Sequence, residues 1–589
     1  MATAVAEAIS NKRHLVVQAG TGTGKSLAYL IPAVLSGAKT VVATATKALQ
    51  DQLATKDLPL VAAHLGTDVA FTVLKGRSNY LCIQKARETG APGESLELGE
   101  TGRQIHELLA WAATSTTGDR AELPFEPDPR VWAQLSVTST DCPGALRCPS
   151  GDVCFAENAR RRAEDADVVV VNTHLYGAHL ASGGHVLPDH DLVVFDEAHE
   201  LEDIAASSLG LEVTAGRFRG LAAGARGLVP DRRVADDVAG AADLLDKVLG
   251  PMVGQRLERP LGDQVDTLLT IAAERVSKLT AAARKAPDAD ARRARVLQAG
   301  GHLAGDIALL KAPAQTEVTW VDGTSHAPTL RLAPVDVGDR LAACLWGEVT
   351  AVLTSATVPP LLPVRLGIPV CTELDVGSPF DYADQALLYC AAHLPDPRQA
   401  AYEPAMHDEL AWLIEAAGGR TLALFTSWRA MQAAAGVIRE RTTHRVLTQS
   451  DLPKPALVEA FAQEESSCLF ATMGFWQGVD VPGRALSLVV IDRIPFPRPD
   501  EPLQAARRDR AGPGAFRVVD LPRAATLLAQ GTGRLIRSST DRGVVAILDP
   551  RLAKASYRWD LVTALPPMRR TKDRSEVEAF LRLIAAADG

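Results

Sequence analysis

Hydrophobic positions in this chain fall into short unbroken runs that end in small or polar residues. In the first part these are HLVVQAG from His14, TVVATAT from Thr40, DVVVVNTH from Asp167, DLVVFDEAH from Asp191 and TAVLTSAT from Thr350. A strand of a parallel sheet is covered by helices on both faces, so both of its faces are apolar and the alternation of a half-exposed strand disappears. A second set has the same form: TLALFTS from Thr421, SCLFATM from Ser467, LSLVVIDRIPF from Leu486 and GVVAILDP from Gly543. The pattern predicts an α/β chain with two parallel sheets, one per half.

Two stretches depart from it. From Leu201 to about Thr316 the strand pattern gives way to alanine-rich helical periodicity, with Val265, Leu268, Leu269, Ala272, Val276 and Leu279 on one face. This predicts a helical insertion. From about Leu81 to Glu157 the chain is punctuated by glycine and proline and carries clustered cysteines, a second insertion. No internal repeat is present, and the loosest stretch runs from about Glu88 to Gly102.

Composition narrows the class. The 589 residues, 47% hydrophobic and 23% charged, fit several globular domains and exclude a wholly disordered chain, a collagen or a coiled-coil rod. A net charge of −9 gives no overall basic signature, so contact with nucleic acid has to run through a local groove. Met1 to Lys12 lacks an apolar signal core, and no run reaches the roughly 18 apolar residues of a membrane span, so a soluble cytoplasmic protein without membrane contact is expected. Eight cysteines are too few for a disulfide scaffold. Cys344, Cys371, Cys390 and Cys468 stand singly in apolar settings and read as core.

The first run leads into QAGTGTGKS, Gln18 to Ser26, and then LAYLIPAVLSG, whose Leu27, Leu30, Ile31, Val34 and Leu35 suggest one helical face. Strand, glycine-rich turn and helix are the setting of a phosphate loop. Gly20, Gly22 and Gly24, with Thr23 between them, let backbone N–H groups face phosphates at a helix N-terminus. Lys25 is placed to reach the β- and γ-phosphates of ATP, and Ser26 to hold Mg²⁺. Ala19 stands where the strict pattern has glycine. About 170 residues on, DLVVFDEAH supplies the acidic pair of an ATPase at a strand end. There Asp196 is positioned to anchor Mg²⁺, Glu197 to polarise the attacking water, and His199 comes two residues later. In QGTGRLIR, Gln530 to Arg537, Arg534 and Arg537 are three apart, which would put them on one helix face reaching across a cleft to the γ-phosphate. An arginine so placed is worth about 10³ to 10⁵ in rate.

Cys82, Cys142, Cys148 and Cys154, with intervals of 59, 5 and 5 residues, suit a metal or cluster. The five-residue spacing is longer than that of structural zinc and matches no ferredoxin run, so spacing alone leaves the metal open.

In order along the chain, QAGTGTGKS, ATATKALQDQL (Ala43 to Leu53), DEAH, TSAT (Thr354 to Thr357), LFTSW (Leu424 to Trp428), GFWQGVDVPG (Gly474 to Gly483) and QGTGRLIR resemble motifs I, Ia, II, III, IV, V and VI of superfamily 2 DNA helicases. LKGRSNYLC ending at Cys82, VVNTHL, SPFDY and IPFPRPDEPL make the resemblance specific to the iron-sulfur branch of DinG and XPD, and within it to the bacterial DinG group. That resemblance implies two RecA-like P-loop motor domains with an iron-sulfur insertion and a helical arch insertion. The implied layout is motor domain 1 over residues 1–80, 158–205 and 331–375, the cluster insertion over 81–157, the arch over 206–330 and motor domain 2 over 376–589.

The resemblance also implies a [4Fe-4S] cluster on Cys82, Cys142, Cys148 and Cys154, bracing a wedge that splits duplex DNA. It gives Gln530 and Asp480 a part in coupling nucleotide to interdomain closure, and Thr354, Ser355 and Thr357, with His199, a part in linking the DEAH strand to movement. The activity implied is an ATP-dependent DNA helicase or translocase stepping along single-stranded or forked DNA, 5′ to 3′, with a monomer sufficient. The alternative is a nucleotide-switched metal-thiol DNA-binding protein without unwinding activity. Arg160, Arg161 and Arg162 are candidates for phosphate contact, and Tyr80, Trp428 and Trp476 are weighed for base stacking but read more readily as core. In this family a segment ahead of motif I contacts adenine. The seventeen residues before Gln18 resemble only the stretch between that segment and motif I, so the expectation is either a start placed too late or weaker ATP selectivity, together with the lack of a leading exonuclease domain.

Overall fold

The computed structural model describes residues 1–66, 68–89, 99–287, 291–475 and 483–587. The first run of strands comprises β1 (His14–Gln18), β2 (Thr40–Thr44), β3 (Phe71–Val73), β4 (Val168–Asn172) and β5 (Leu192–Asp196). After them come β6 (Leu211–Thr214), β7 (Glu317–Thr324), β8 (Ala327–Pro334), β9 (Thr350–Ser355) and β10 (Cys371–Asp375). The first sheet has the order β10-β1-β9-β5-β2-β4-β3, every pair parallel. Its central strands are buried at nearly every position, as their doubly apolar sequences require.

Register decides where the chemistry can be. Gln18 pairs with Ser355 and Asp196 with Thr354, so the ends of β1, β9 and β5 lie side by side. Three motifs separated by hundreds of residues thus meet at the carboxyl edge of one sheet, where open α/β sheets bind ligands.

The second sheet comprises β11 (Ala386–Cys390), β12 (Thr421–Phe425), β13 (Val446–Thr448), β14 (Cys468–Thr472), β15 (Leu488–Ile491), β16 (Gly543–Ile547) and β17 (Arg569–Thr571). Its order is β13-β14-β12-β15-β16-β11-β17, again parallel throughout.

The cysteine-bearing stretch leaves the first sheet after β3 and returns at β4. Its helices Glu100–Thr114, Pro129–Leu135 and Phe155–Asp165 pack Ile105, Leu108, Trp132, Leu135 and Phe155 into the core beneath one face of that sheet. Four helices, Ala215–Ala225, Arg232–Leu249, Asp263–Ala283 and Ala291–Lys311, form the second excursion around a core of their own. All six residues of the helical face read from sequence are buried there. A small antiparallel sheet, β6-β8-β7, closes that excursion, and its β6 falls inside the stretch expected to be helical.

The helix Lys25–Ser36 is rotated from the expected face: Tyr29, Leu30 and Ala33 are buried, Leu27, Ile31 and Val34 are partly covered, and Leu35 is 64% exposed. Tyr29 turns inward because its hydroxyl has a partner at the end of β5. No described helix is long and apolar enough to cross a membrane.

Candidate active site

Between β1 and the helix Lys25–Ser36 the backbone needs two left-handed residues, and glycine supplies both. Gly22 has φ +77° and Gly24, the N-cap, has φ +71°. A Cβ on Gly22 would also stand 2.3 Å from the ring of Phe380, in the SPFDY segment. The residue just before that segment accepts a bond from the loop, Gly20 N–H to the Gly377 carbonyl at 3.0 Å. Thr23 ties the turn internally, its hydroxyl donating to the Gly20 carbonyl at 2.8 Å. The buried hydroxyl of Thr21 has no protein partner, and Lys25 and Ser26 open the helix beneath it. This cradle fits an anionic ligand.

At the end of β5 the two acidic residues have opposite environments. Asp196 is buried, accepts from the Tyr29 hydroxyl at 3.1 Å and from the Glu197 N–H at 3.0 Å, and burial pushes its pKa up against the pull of Lys25. Burial acts the same way on Glu197, but the positive charges of Lys25, Arg534 and Arg537 override it and hold Glu197 well below the usual carboxylate range. Lys25 Nζ lies 3.7 Å from Glu197 Oε1. Glu197 itself has φ +59°, left-handed backbone that costs a non-glycine residue about 1–2 kcal/mol. That turn aims its carboxylate back over the phosphate loop rather than along the strand. One carboxyl is thus disposed to take a cation in place of a proton, while its neighbour stays an anion, an acceptor for a water proton.

A directional relay runs from the second half of the chain into this edge. The Gln530 side-chain N–H donates to His199 Nε2, which leaves Nδ1 protonated to donate to Ser355 Oγ at 2.8 Å. Ser355 in turn donates to the Thr357 carbonyl at 2.9 Å. Burial lowers the His199 pKa, which keeps the imidazole in the neutral form that can both accept and donate. Thr354 is fully buried and its hydroxyl has no hydrogen-bond partner among the described residues.

Arg534 and Arg537 are placed differently from expectation. The helix Leu521–Thr532 ends before either, so they share no helix face. They project instead from the loop after it, which Asp541 holds by accepting from the N–H groups of Arg537 (2.7 Å) and Ser538 (2.8 Å). Both are close enough to depress the Glu197 pKa. Asp480 and Trp476 lie outside the described residues.

Sequence reading did not single out Tyr29, Phe380 or an ionic cluster just past the DEAH segment. Asp203 there pairs with Arg507 at 2.8 Å and with Arg523, Glu202 pairs with Arg507 at 3.4 Å, and Arg507 also donates to the Val335 carbonyl at 3.1 Å. The partners are some 300 residues apart, so no local signal marks them. Among the candidates for DNA contact, Arg160 donates to the His185 carbonyl and Arg161 to Asn158. Tyr80 is core, 3% exposed, and Trp428 is 49% exposed.

Cys82, Cys142, Cys148 and Cys154 border one small cavity together with Arg77, Glu157 and Arg295. Among the described residues no group of three or more His, Cys, Asp or Glu side chains is close enough to share a single ion. A multinuclear cluster holds its ligand sulfurs farther apart than one tetrahedral ion does, and four half-buried thiols around a common space are a soft donor set that suits it.

Two family models match the chain: the DEAD/DEAH box helicase model over residues 2–92 and the helicase C-terminal domain over 410–568. An ATP-dependent helicase DinG of Mycobacterium tuberculosis is 41% identical, the match covering 100% of this chain and 95% of that protein. The ATP-dependent DNA helicase YoaA of Escherichia coli is 35% identical over 99% of this chain and 95% of its own length. Among solved structures, an XPD helicase superposes with a TM-score of 0.62 at 16% identity, covering 97% of this chain and 98% of that one. The S. tokodaii Xpd4 structure gives 0.56 at 13% identity, covering 97% and 98%.

Proposed function

The chain belongs to the DinG family of ATP-dependent helicases, and we propose that its two sheets are the RecA-like motors of a DNA helicase that moves 5′ to 3′ along single-stranded DNA and opens forks. The observation that carries this reading is that groups from both halves of the chain act on the single carboxylate of Glu197: Lys25 and His199 lie 3.7 and 3.4 Å from it, and Arg534 and Arg537 pull its pKa down. The phosphate loop, Gly20 to Ser26, holds the triphosphate of ATP. Ser26 and Asp196 hold Mg²⁺, which neutralises phosphate charge when bound. Glu197 takes the proton of the attacking water while Arg534 and Arg537 face the charge that develops on the γ-phosphate. Asp480 contributes from the same half. Because Gln530 contacts His199, and His199 contacts Ser355, loss of the γ-phosphate is felt at TSAT as well as across the cleft.

The division read from sequence serves this mechanism: motor domain 1 over 1–80, 158–205 and 331–375, a cluster insertion over 81–157, an arch over 206–330 and motor domain 2 over 376–589. Cys82, Cys142, Cys148 and Cys154 would hold a [4Fe-4S] cluster, which when bound would tie Cys82, just ahead of the helix Ile83–Thr89, to the stretch 142–154 that precedes the helix Phe155–Asp165. Nothing in the site favours a non-motor reading.

The test is anaerobic purification followed by ATP turnover with and without single-stranded DNA, and unwinding of forks carrying a 5′ or a 3′ tail. We expect DNA-stimulated turnover, opening of the 5′-tailed fork, and a loss of about 10²- to 10⁴-fold in kcat for Glu197→Gln. Unchanged turnover in that variant would remove the motor assignment. Visible absorbance that survives Cys148→Ser, or stoichiometric zinc in a colourless protein, would remove the cluster.

A further inference from the structure

A second concave site lies in the second half of the chain, away from the nucleotide. It is a cavity of about 890 Å³ between one face of β11 and the short helices Arg551–Lys554 and Arg558–Val562. Leu388, Cys390, Leu552 and Val562 give it an apolar floor. It opens at the carboxyl end of β11, whereas the loop carrying Arg537 packs on Gln385 at the amino end of the same strand. The cavity is therefore separate from the ATP cleft.

Its rim is cationic, and the cations differ in what they already hold. His393 and Arg574 are engaged by the buried Glu409, at 3.2 and 3.6 Å. Arg558, Arg570 and Lys572 have no carboxylate partner among the described residues. The one acidic side chain on the rim, Asp573, accepts from the backbone N–H and the hydroxyl of Ser575, both at 2.8 Å. Arg558 and Arg570 each lie 5.4 Å from the ring of Trp559, itself 53% exposed. Stacking on a half-exposed indole holds the two guanidinium groups in place at the mouth.

Such a site selects a ligand with one apolar group for the floor and several anionic groups for the rim. A single-stranded nucleic acid is disfavoured on two counts. It needs a row of cations and free aromatic faces along several nucleotides, but here three cations ring one hole and the only exposed ring is occupied by arginines. A carboxylate, in contrast, meets an arginine in bidentate fashion without displacing it from the indole. The neighbouring β17 is an edge strand with no partner beyond it among the described residues, so an extended backbone can lie along it.

We propose that this cavity docks an acidic peptide segment of a partner protein, one that inserts an apolar side chain between β11 and the helices and sets its carboxylates on Arg558, Arg570 and Lys572. The probe is a fluorescein-labelled peptide of consecutive aspartates ending in a carboxy-terminal phenylalanine, titrated with the full chain and followed by anisotropy. Saturable binding is expected. It should weaken about tenfold or more in Arg570→Glu and in Lys572→Glu, and also when the phenylalanine of the probe is replaced by serine. DNA-stimulated ATP turnover should be unchanged in both variants, which reports that they are folded. The proposal is overturned if the peptide does not bind or binds the charge-reversed variants equally well. It is overturned too if oligothymidylate displaces the peptide and the variants lose DNA-stimulated turnover, which would make the cavity part of the nucleic-acid path.

Discussion

Adjacent residues can be driven in opposite directions when their surroundings differ, and the pKa values of Asp196 and Glu197 are, across one peptide bond. The phosphate loop and the acidic pair were legible in the sequence because each is contiguous, so residue type and spacing determine the local backbone. Tyr29 and Phe380 were not, since each acts on a partner that is remote in sequence: Tyr29 bonds Asp196 and Phe380 covers Gly22. His179, by contrast, acts on a neighbour only eight residues away. Its Nδ1 accepts from the Leu187 N–H at 2.9 Å, so the ring must be neutral there, and burial, aided by His190, lowers its pKa from 6.5 to about 4. A histidine whose pKa is depressed on folding contributes stability that is fully present above 6.5 and lost as pH falls from 6.5 towards 4. Thermal melts should therefore show Tm dropping by a few degrees from about pH 7 to about pH 5, with a shallower slope in His179→Asn, whose side-chain oxygen keeps the acceptor. Parallel slopes in the two proteins would remove this role.

Elements were readable in proportion to their burial. All nine apolar runs became strands of the two sheets, because a fully covered strand must be apolar on both faces. The strands that escaped are mostly edges: β3, β13 and β17 have three residues each, and β10 is mostly solvent-exposed, so neither length nor hydrophobicity announces them. Helical insertions declared themselves by periodicity, but how they touch did not. Arg295, on the helix Ala291–Lys311, forms a two-pronged pair with Glu88, on the helix that begins just after Cys82. From Glu88 the chain of bonds continues to Gln84 at 2.9 Å and from there to Ser150 at 2.7 Å, inside the loop between Cys148 and Cys154. The helical insertion is thereby fastened to the cysteine loop through four side chains, Arg295, Glu88, Gln84 and Ser150. Arg295→Ala should cost about 1–3 kcal/mol, since Glu88 keeps only one of its partners. Hydrogen exchange should speed up over 83–89 and 148–154 while the strands of the first sheet stay protected. Uniform acceleration, or none, would show that the clasp does not join these elements.

At the scale of the whole chain, function requires that two separately folded sheets meet in one orientation. The proposed site needs Arg534 and Arg537, on the loop after the helix Leu521–Thr532, to face Glu197. One fastening between the halves is the cluster just past the DEAH segment, in which Arg507, 8% exposed, bonds Asp203, Glu202 and the Val335 carbonyl at once. Burial of so many charges is tolerable only while each is answered, and removal of one partner from such a group costs about 3–5 kcal/mol. In Arg507→Ala, Arg523 still covers Asp203 but Glu202 is left with Arg365 alone on the far side. The lowest-energy response is for the halves to part and let water in. We therefore expect a larger radius of gyration by solution scattering and a fall in kcat, because the arginines withdraw from Glu197. The affinity for ATP should change little, since the phosphate loop and Asp196 belong to the first sheet alone. Arg507→Lys should behave like the alanine variant, as one ammonium cannot reach three acceptors that a planar guanidinium spans. A variant that keeps its scattering profile and its kcat would mean that orientation is set elsewhere. One that loses ATP binding would mean that Arg507 supports the first sheet rather than its junction with the second.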